Sequence, residues 1–300
     1  MANPFDISAF NLLQFAEMVN NLYDDTPMQL EVPVKQPDGS ITYKNIQNLG
    51  QFKQRIWDTI NANMQFSVVK FYVDPINGAD TNDGLSANTA FRTVKKAVDS
   101  IQKGGAGYIL LTQAGYTYEI NENIDISQKA VYLYESVYGQ KYNLQFNTYL
   151  PASSIKRIGQ FRVEGGGIGF IKIHGCENIT LNDNYPDVDL VYTTCNIFET
   201  TNAGAGANII VALNVNNIYN NVSGAGIIGG YTGHMQINLM LNNFYLQNDN
   251  YFIRSDYKAM FEVVGSASFY KNNTAVALKD TIRGLIVDAN GNPKNLITTI

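Results

Sequence analysis

The residue types that could do chemistry here are carboxylates standing close together. Asp187-Val-Asp189 places two acids two residues apart, a spacing that would turn both to one face of a strand. With Asp183 just before them they could gather oxygens around a cation. Cleavage of a glycosidic bond needs paired carboxylates for hydrolysis, or a strong base with a bound cation for elimination. Asp183, Asp187, Asp189 and Glu199 are therefore the catalytic candidates, and weak ones. A run such as Asn182-Asp-Asn-Tyr-Pro-Asp187 more commonly makes a solvated turn, and that is the preferred reading.

A second oxygen cluster, Asp74, Asn77, Asp80, Asn82 and Asp83, has part of the spacing of a calcium-binding loop. The glutamate that would complete it is missing, Leu85 standing in its place. A turn held by Asx hydrogen bonds is the better account. His174 and His234 each lack a second histidine nearby, which leaves zinc unsupported. Gly165–Gly169 and Gly224–Gly230 are glycine-rich without the strand-to-helix logic of a dinucleotide site. No cofactor and no metal are expected. Cys176 and Cys195 read as free, buried thiols, with a disulfide open only in an oxidising space. Among the 19 tyrosines, Tyr116/Tyr118 and Tyr132/Tyr134 alternate. They suit either flat platforms for sugars or a stacked ladder inside the fold.

Charge sets the frame for these sites. The 300 residues carry a net charge of −5, and charged residues make up 16%, against roughly 25% in ordinary domains. The pI near 5.1 and the absence of a basic run exclude a nucleic-acid partner. Thr200–Asn248 contains no Asp, Glu, Lys or Arg at all, and His234 is its one group titrating near neutrality. Mixed surface charge normally keeps a domain soluble. This stretch must instead stack Asn upon Asn in successive layers, hide against other subunits, or both. A long glycan groove across it would find no acid and no arginine to grip acidic sugars. No basic-then-apolar leader opens the chain, so no secretory signal is expected, and no run of about 18 apolar residues suggests a membrane span.

Two regions position these groups. Residues 1–66 read as a small α+β segment: a helix over 7–23, a strand from Met28 to Val34, a Pro37-Asp38-Gly39 turn, a returning strand at Ile41–Ile46, and a second helix. In that helix, Phe52, Ile56, Ile60 and Met64 recur every fourth residue. Such a stripe suits a core face or an oligomerisation stem. From Phe71 the chain reads strand, Asp/Asn/Gly turn, then a helix at about 88–102 capped by Thr89, with Phe91, Val94, Ala97, Val98 and Ile101 on one side. Beyond Gly107, short apolar strands recur between Asn/Gly/Asp turns. They include Tyr108–Leu111, Ala130–Tyr134, Phe161–Val163, Ile168–Ile173, Asn178–Leu181, Asp189–Tyr192 and Cys195–Phe198, with further members to Tyr270. A spacing of roughly 20–25 residues would make about eight or nine stacked coils over 67–300. A two-sheet sandwich is the alternative. The tail from Thr281 reads as a strand followed by an Asn290-Gly291 turn.

The segment Phe71–Val98 resembles the opening of pectate-lyase-like right-handed parallel β-helices, in which such a helix closes the first coil. The order helix, hairpin, helix, strand and Asp/Asn/Gly turn resembles the attachment regions of bacteriophage tail fibres and tail spikes. The resemblance implies a mainly β chain, a right-handed parallel β-helix preceded by the small α+β segment. It implies a homotrimeric virion protein of the phage tail, made in the host cytoplasm, docked on other tail proteins through residues 1–66. Contact with host surface polysaccharide would go with it, without nucleic acid or membrane insertion. A depolymerase of surface glycans is the alternative, with its acids near 183–199 or at a subunit boundary. A bacterial surface adhesin fits less well.

Overall fold

The computed structural model describes strands at 30–35 and 41–46 as backbone. It describes residues 68–299 in full apart from 153–154, 165–166, 191–195, 202–206, 231–232, 248, 256–258 and the side chains at 233 and 241. By its contacts the chain divides into two units, Met1–Gln65 and Phe66–Ile300. In the first unit, β1 (Leu30–Lys35) pairs antiparallel with β2 (Ile41–Ile46), Leu30 opposite Ile46 and Lys35 opposite Ile41. That is the hairpin read from the sequence. Its turn and the two expected helices, 7–23 and 51–64, lie outside the described residues.

The second unit runs β3 (Val68–Val73), α1 (Val94–Asp99), β4 (Ala106–Leu111), β5 (Thr117–Ile120), β6 (Asn123–Asp125), β7 (Ala130–Glu135), β8 (Tyr142–Tyr149), β9 (Arg157–Ile158), β10 (Gln160–Val163) and β11 (Ile168–Asn182). It continues with β12 (Asn196–Thr200), β13 (Asn208–Asn220), β14 (Gly226–Gly230), β15 (Gly233–Leu246), β16 (Tyr251–Arg254), β17 (Ala259–Lys271), β18 (Thr274–Val276), β19 (Ile282–Arg283) and β20 (Leu296–Thr298). The unit is mainly β, and its strands are overwhelmingly parallel. One sheet has the order β18-β17-β15-β13-β11-β7-β4-β3, and a six-stranded sheet has the order β19-β16-β14-β12-β10-β6. From β10 to β17 the chain alternates between the two sheets, each return adding a strand next to the last.

The helix at the front is shorter than expected and starts later. Phe91 is extended and bridges Val73, and the Asp80 carboxylate accepts from the backbone N–H groups of Arg92 (2.9 Å) and Thr93 (3.0 Å). Those two bonds satisfy donors that a longer helix would have used, so Thr93, not Thr89, becomes the N-cap. Its hydroxyl accepts from Lys96 N at 3.1 Å. Thr89 instead closes a 3₁₀ turn, Ala87–Thr89, capped by Ser86. The apolar stripe is as read: Phe91, Val94, Ala97, Val98 and Ile101 are all buried.

Several strands predicted as separate are one. Ile168–Ile173 and Asn178–Leu181 are halves of β11, joined across a register shift between Ile173 and Cys176 where Gly175 takes a φ of 71°. The pairs 236–241 with 244–246, and 259–264 with 266–270, fuse likewise into β15 and β17. Steps from strand to strand are correspondingly long. Asparagines hydrogen-bonded across neighbouring strands are 35, 39 and 26 residues apart, which exceeds the expected spacing and lowers the number of layers.

Inward residues of the two sheets meet in one core. Phe161 and Phe198 stack at 6.0 Å, and Phe146 stands edge-on to both, at 5.9 and 6.1 Å. Further along, Phe252 closes on Phe244 at 4.5 Å and on Phe269 at 5.0 Å. These buried rings supply the apolar area that holds the sheets face to face. At the far edge, β17 turns back through Asn272 and Asn273, with φ of 48° and 62°, into antiparallel β18. Both central residues lie in the left-handed region that a two-residue hairpin needs, and asparagine tolerates it.

Candidate functional site

The sequence-nominated acids separate into three environments. Asp183 is part of an internal tie: its Oδ2 lies 2.6 Å from Lys156 Nζ, and Oδ1 accepts from the Thr148 hydroxyl at 2.9 Å. The Lys156 ammonium also donates to Tyr185 O at 2.7 Å, and that lysine is only 3% exposed. A buried lysine held by a carboxylate and a carbonyl fastens the turn after β11. Asp187 and Asp189 are exposed in that turn, where Val188 N bonds Tyr185 O at 3.2 Å. The pair that could have shared a strand face sits on a loop, in keeping with the preferred solvated-turn reading.

Glu199 is the chemically unusual member. It lies on β12, level with Arg162 of β10 and Gly229 of β14, and Gly229 is level with Arg254 of β16. Its carboxyl is 1% exposed. Burial lifts its pKa to about 8, opposed by the hydrogen bond from Asn196 N and by the positive charges of Arg162 and Arg254. Asn196 N donates to Oε2 at 3.3 Å. The Gln160 amide, in the orientation that satisfies both its ends, donates to the same oxygen at 3.1 Å and to Asn196 O at 2.9 Å. A carboxyl kept protonated near neutrality could act as a general acid, but this one is sealed inside the sheet and its hydrogen bonds are internal.

The strand beside it explains a puzzle of the sequence. Gly224–Gly230 leads into β14, a parallel strand, so the string belongs to no phosphate-binding turn. A methyl at Gly226 or Gly229 would collide with the Asn196 side chain, and one at Gly230 with the Thr200 hydroxyl. At Gly229 it would also meet the Arg254 carbonyl. Glycine there makes room for the polar side chains of β12 and the close backbone of β16. Gln160, Arg162, Asn196 and Arg254 were missed as neighbours of Glu199, because only the register brings them together.

The carboxylates of the Asp74–Asp83 cluster are engaged by hydrogen bonds within the turn, from Gln113 and from the start of α1. Asp74 Oδ1 accepts from Ile76 N and Asn77 N at 2.9 and 3.0 Å, and Oδ2 from Gln113 Nε2 at 2.9 Å. These hydrogen bonds outweigh its partial burial and lower its pKa. Asp80 serves α1, and Asp83 accepts from the Thr89 hydroxyl at 2.6 Å and from Leu85 N at 3.0 Å. Among the described residues no group of three His, Cys, Asp or Glu could hold a metal ion. His174 Nδ1 meets Glu135 Oε2 at 3.1 Å, and His234 Nε2 meets Glu262 Oε2 at 3.4 Å. Cys176 is a free buried thiol with its pKa raised by burial. Cys195 lies outside the described residues.

Tyrosine alternation resolves two ways. Tyr118 points inward, its hydroxyl accepting from Gln113 N at 2.8 Å and its pKa raised to about 12 by burial, while Tyr116 is exposed. Tyr132 and Tyr134 are on the outer face of β7. There Tyr132 stacks on Tyr108 at 4.7 Å, and Tyr134 on the His174 ring at 4.9 Å. Their flat faces are covered by neighbours from adjacent strands.

Polar side chains repeat the same layering. Asn178 Nδ2 donates to Asn143 Oδ1 (2.9 Å), Asn217 Nδ2 to Asn178 Oδ1 (3.1 Å) and Asn243 Nδ2 to Asn217 Oδ1 (3.4 Å). A shorter row joins Asn182 to Asn147 at 2.9 Å and Asn147 to Asn121 at 2.7 Å. The inner amides, Asn178, Asn217 and Asn147, each give a proton to one neighbour and accept one from the next, the arrangement expected of stacked asparagines.

No family model and no curated protein matches the sequence of this chain. Among the described residues no helix is long and apolar enough to cross a membrane.

Proposed function

We propose that the chain is a structural protein of a bacteriophage tail, a homotrimeric fibre or spike whose residues 67–300 wind as a right-handed parallel β-helix shaft. In this reading residues 1–66 attach it to other tail proteins, α1 closes the first coil, and the shaft contributes to recognition of the host surface. The observation that carries it is the alternation of β10 to β17 between two parallel sheets, with amide and aromatic side chains aligned from layer to layer. A solenoid held by such ladders is a stiff rod, and its uncharged flank from Thr200 to Asn248 is suited to cover by sister subunits. A depolymerase gains nothing from the acids: Asp183 is tied to Lys156, Asp187 and Asp189 sit on a loop, and Glu199 is sealed.

Two measurements test the reading. Light scattering on the purified chain is expected to give a trimer that resists SDS without boiling. Antibodies to the chain are expected to label the tails of phage particles in electron micrographs. A monomer in solution together with unlabelled particles would reject the proposal, as would release of reducing ends from host polysaccharide.

A further inference from the structure

We propose that a cleft at the Tyr219–Tyr245 end of the long sheet is a binding site for an uncharged oligosaccharide. The cleft has a volume of about 540 Å³ and is lined from β13, β15, the segments that follow them, and the Asn272–Asn273 turn. Tyr219 and Tyr245 stack at 4.9 Å with planes 12° apart, and Tyr270 continues the stack at 5.1 Å. Parallel rungs repeat every ~4.8 Å, and because each stacked ring covers its neighbour's face, the two lining rings present edges at a step comparable with one pyranose unit. Around them stand Asn221, Gln247 and Asp249, all exposed. Amides and a carboxylate provide donors and acceptors in the mixture that sugar hydroxyls require.

Three features narrow the ligand. None of the lining residues is Lys, Arg or His, and Asp249 is the one charge among them, so an acidic sugar would meet repulsion without a counter-ion. The floor residue Asn250 is fully buried. Its Nδ2 donates to Asn220 O at 2.6 Å, while its Oδ1 has no hydrogen-bond partner among the described residues. This acceptor is shut off from solvent beside the cleft, and a ligand or water hydroxyl could satisfy it after a small shift of its neighbours. Gln247 Nε2 reaches Asn221 Oδ1 at only 3.4 Å, a long bond that a sugar hydroxyl can replace. A peptide adding as a strand is disfavoured, because β18 already occupies the edge of β17 beside the turn.

This inference deepens the proposed surface-recognition role by naming its ligand class and rests on that role for its biological meaning. Its test is separate. The full chain is titrated by calorimetry and saturation-transfer NMR with maltotriose, chitotriose and trigalacturonate. At least one of the two neutral trisaccharides is expected to bind with a Kd of about 1 mM or tighter, and trigalacturonate to bind at least about tenfold more weakly. The double variant Gln247→Ala/Asp249→Asn changes only exposed side chains and is expected to weaken binding about tenfold or more. The double variant is expected to retain the parent's circular dichroism spectrum, which controls for folding. The proposal is overturned if neither neutral trisaccharide binds, if trigalacturonate binds as well as they do, or if the double variant binds like the parent. Labelling of phage tails reports on the virion reading and is indifferent to all three results.

Discussion

Along β13, buried and half-buried residues alternate from Asn208 to Val215. In β12 and β14, by contrast, every residue from Asn196 to Thr200 and from Gly226 to Gly230 is buried. The long sheet keeps one face in the core and the other open, so its outward positions carry Asn, Gln, Tyr and Lys at little cost. The six-stranded sheet has no free face in that region. What lies behind its core must be glycine or a polar group whose hydrogen bonds are met inside, and Glu199 among Gln160, Asn196, Arg162 and Arg254 is the result.

That contrast can be broken most sharply at Gly229. Gly229→Ala drives a methyl into the Arg254 carbonyl and the Asn196 amide and is expected to destabilise the fold by about 3 kcal/mol, measured by urea denaturation. The partly open counterpart, Ala212→Ser on the outer face of β13, is expected to stay within about 0.5 kcal/mol. Equal losses at the two sites would erase the distinction between the sheets.

The buried carboxyl gives the next largest effect. Glu199 holds its proton to about pH 8 in the folded state, whereas an ordinary glutamate releases it near 4.5. Between those values the folded state binds more protons than the unfolded one, so stability falls as pH rises through the window. Glu199→Gln keeps the shape and has no proton to lose. It is expected to raise stability at pH 8 by about 1–3 kcal/mol and to change little at pH 4.5. Melting temperatures at the two pH values check this, and an equal shift at both would show that Glu199 is not the titrating group.

On the open sheet, Asn178→Ala removes both a donated and an accepted amide bond from the ladder. A loss of about 1–2 kcal/mol is expected by chemical denaturation, less than at Gly229 because solvent can reach the half-buried partners. The smallest change belongs to the exposed turn. Asp187→Asn with Asp189→Asn is expected to leave stability within about 0.5 kcal/mol and, under the phage-tail proposal, plaque formation intact; abolished infectivity would revive the depolymerase.

The same asymmetry governs what could be read from the chain itself. The β1–β2 hairpin, the Asx-held turn at Asp74–Asp83 and the stacking of asparagines follow from local chemistry, and each is visible in residue types and spacing. So are the alternating strands of the long sheet, although Gly175 bends β11 without ending it and made one strand look like two. β14 carries no alternation, and its glycines mark neighbours that come from far along the chain. The late start of α1 has a similar origin, since Asp80 takes hydrogen bonds from Arg92 and Thr93 across the turn. The Glu199 surroundings were illegible for want of register, and the tyrosine cleft because its wall returns from the Asn272–Asn273 reversal.

That reversal has one more consequence. β18 pairs with the Phe269–Lys271 part of β17, and β20 pairs with its Phe261–Val263 part, so both halves of the outermost long strand already have partners. An unpartnered strand there would template another molecule and let chains join end to end without limit. With both halves taken by strands of three residues each, β17 offers no long free edge for a second copy to pair with.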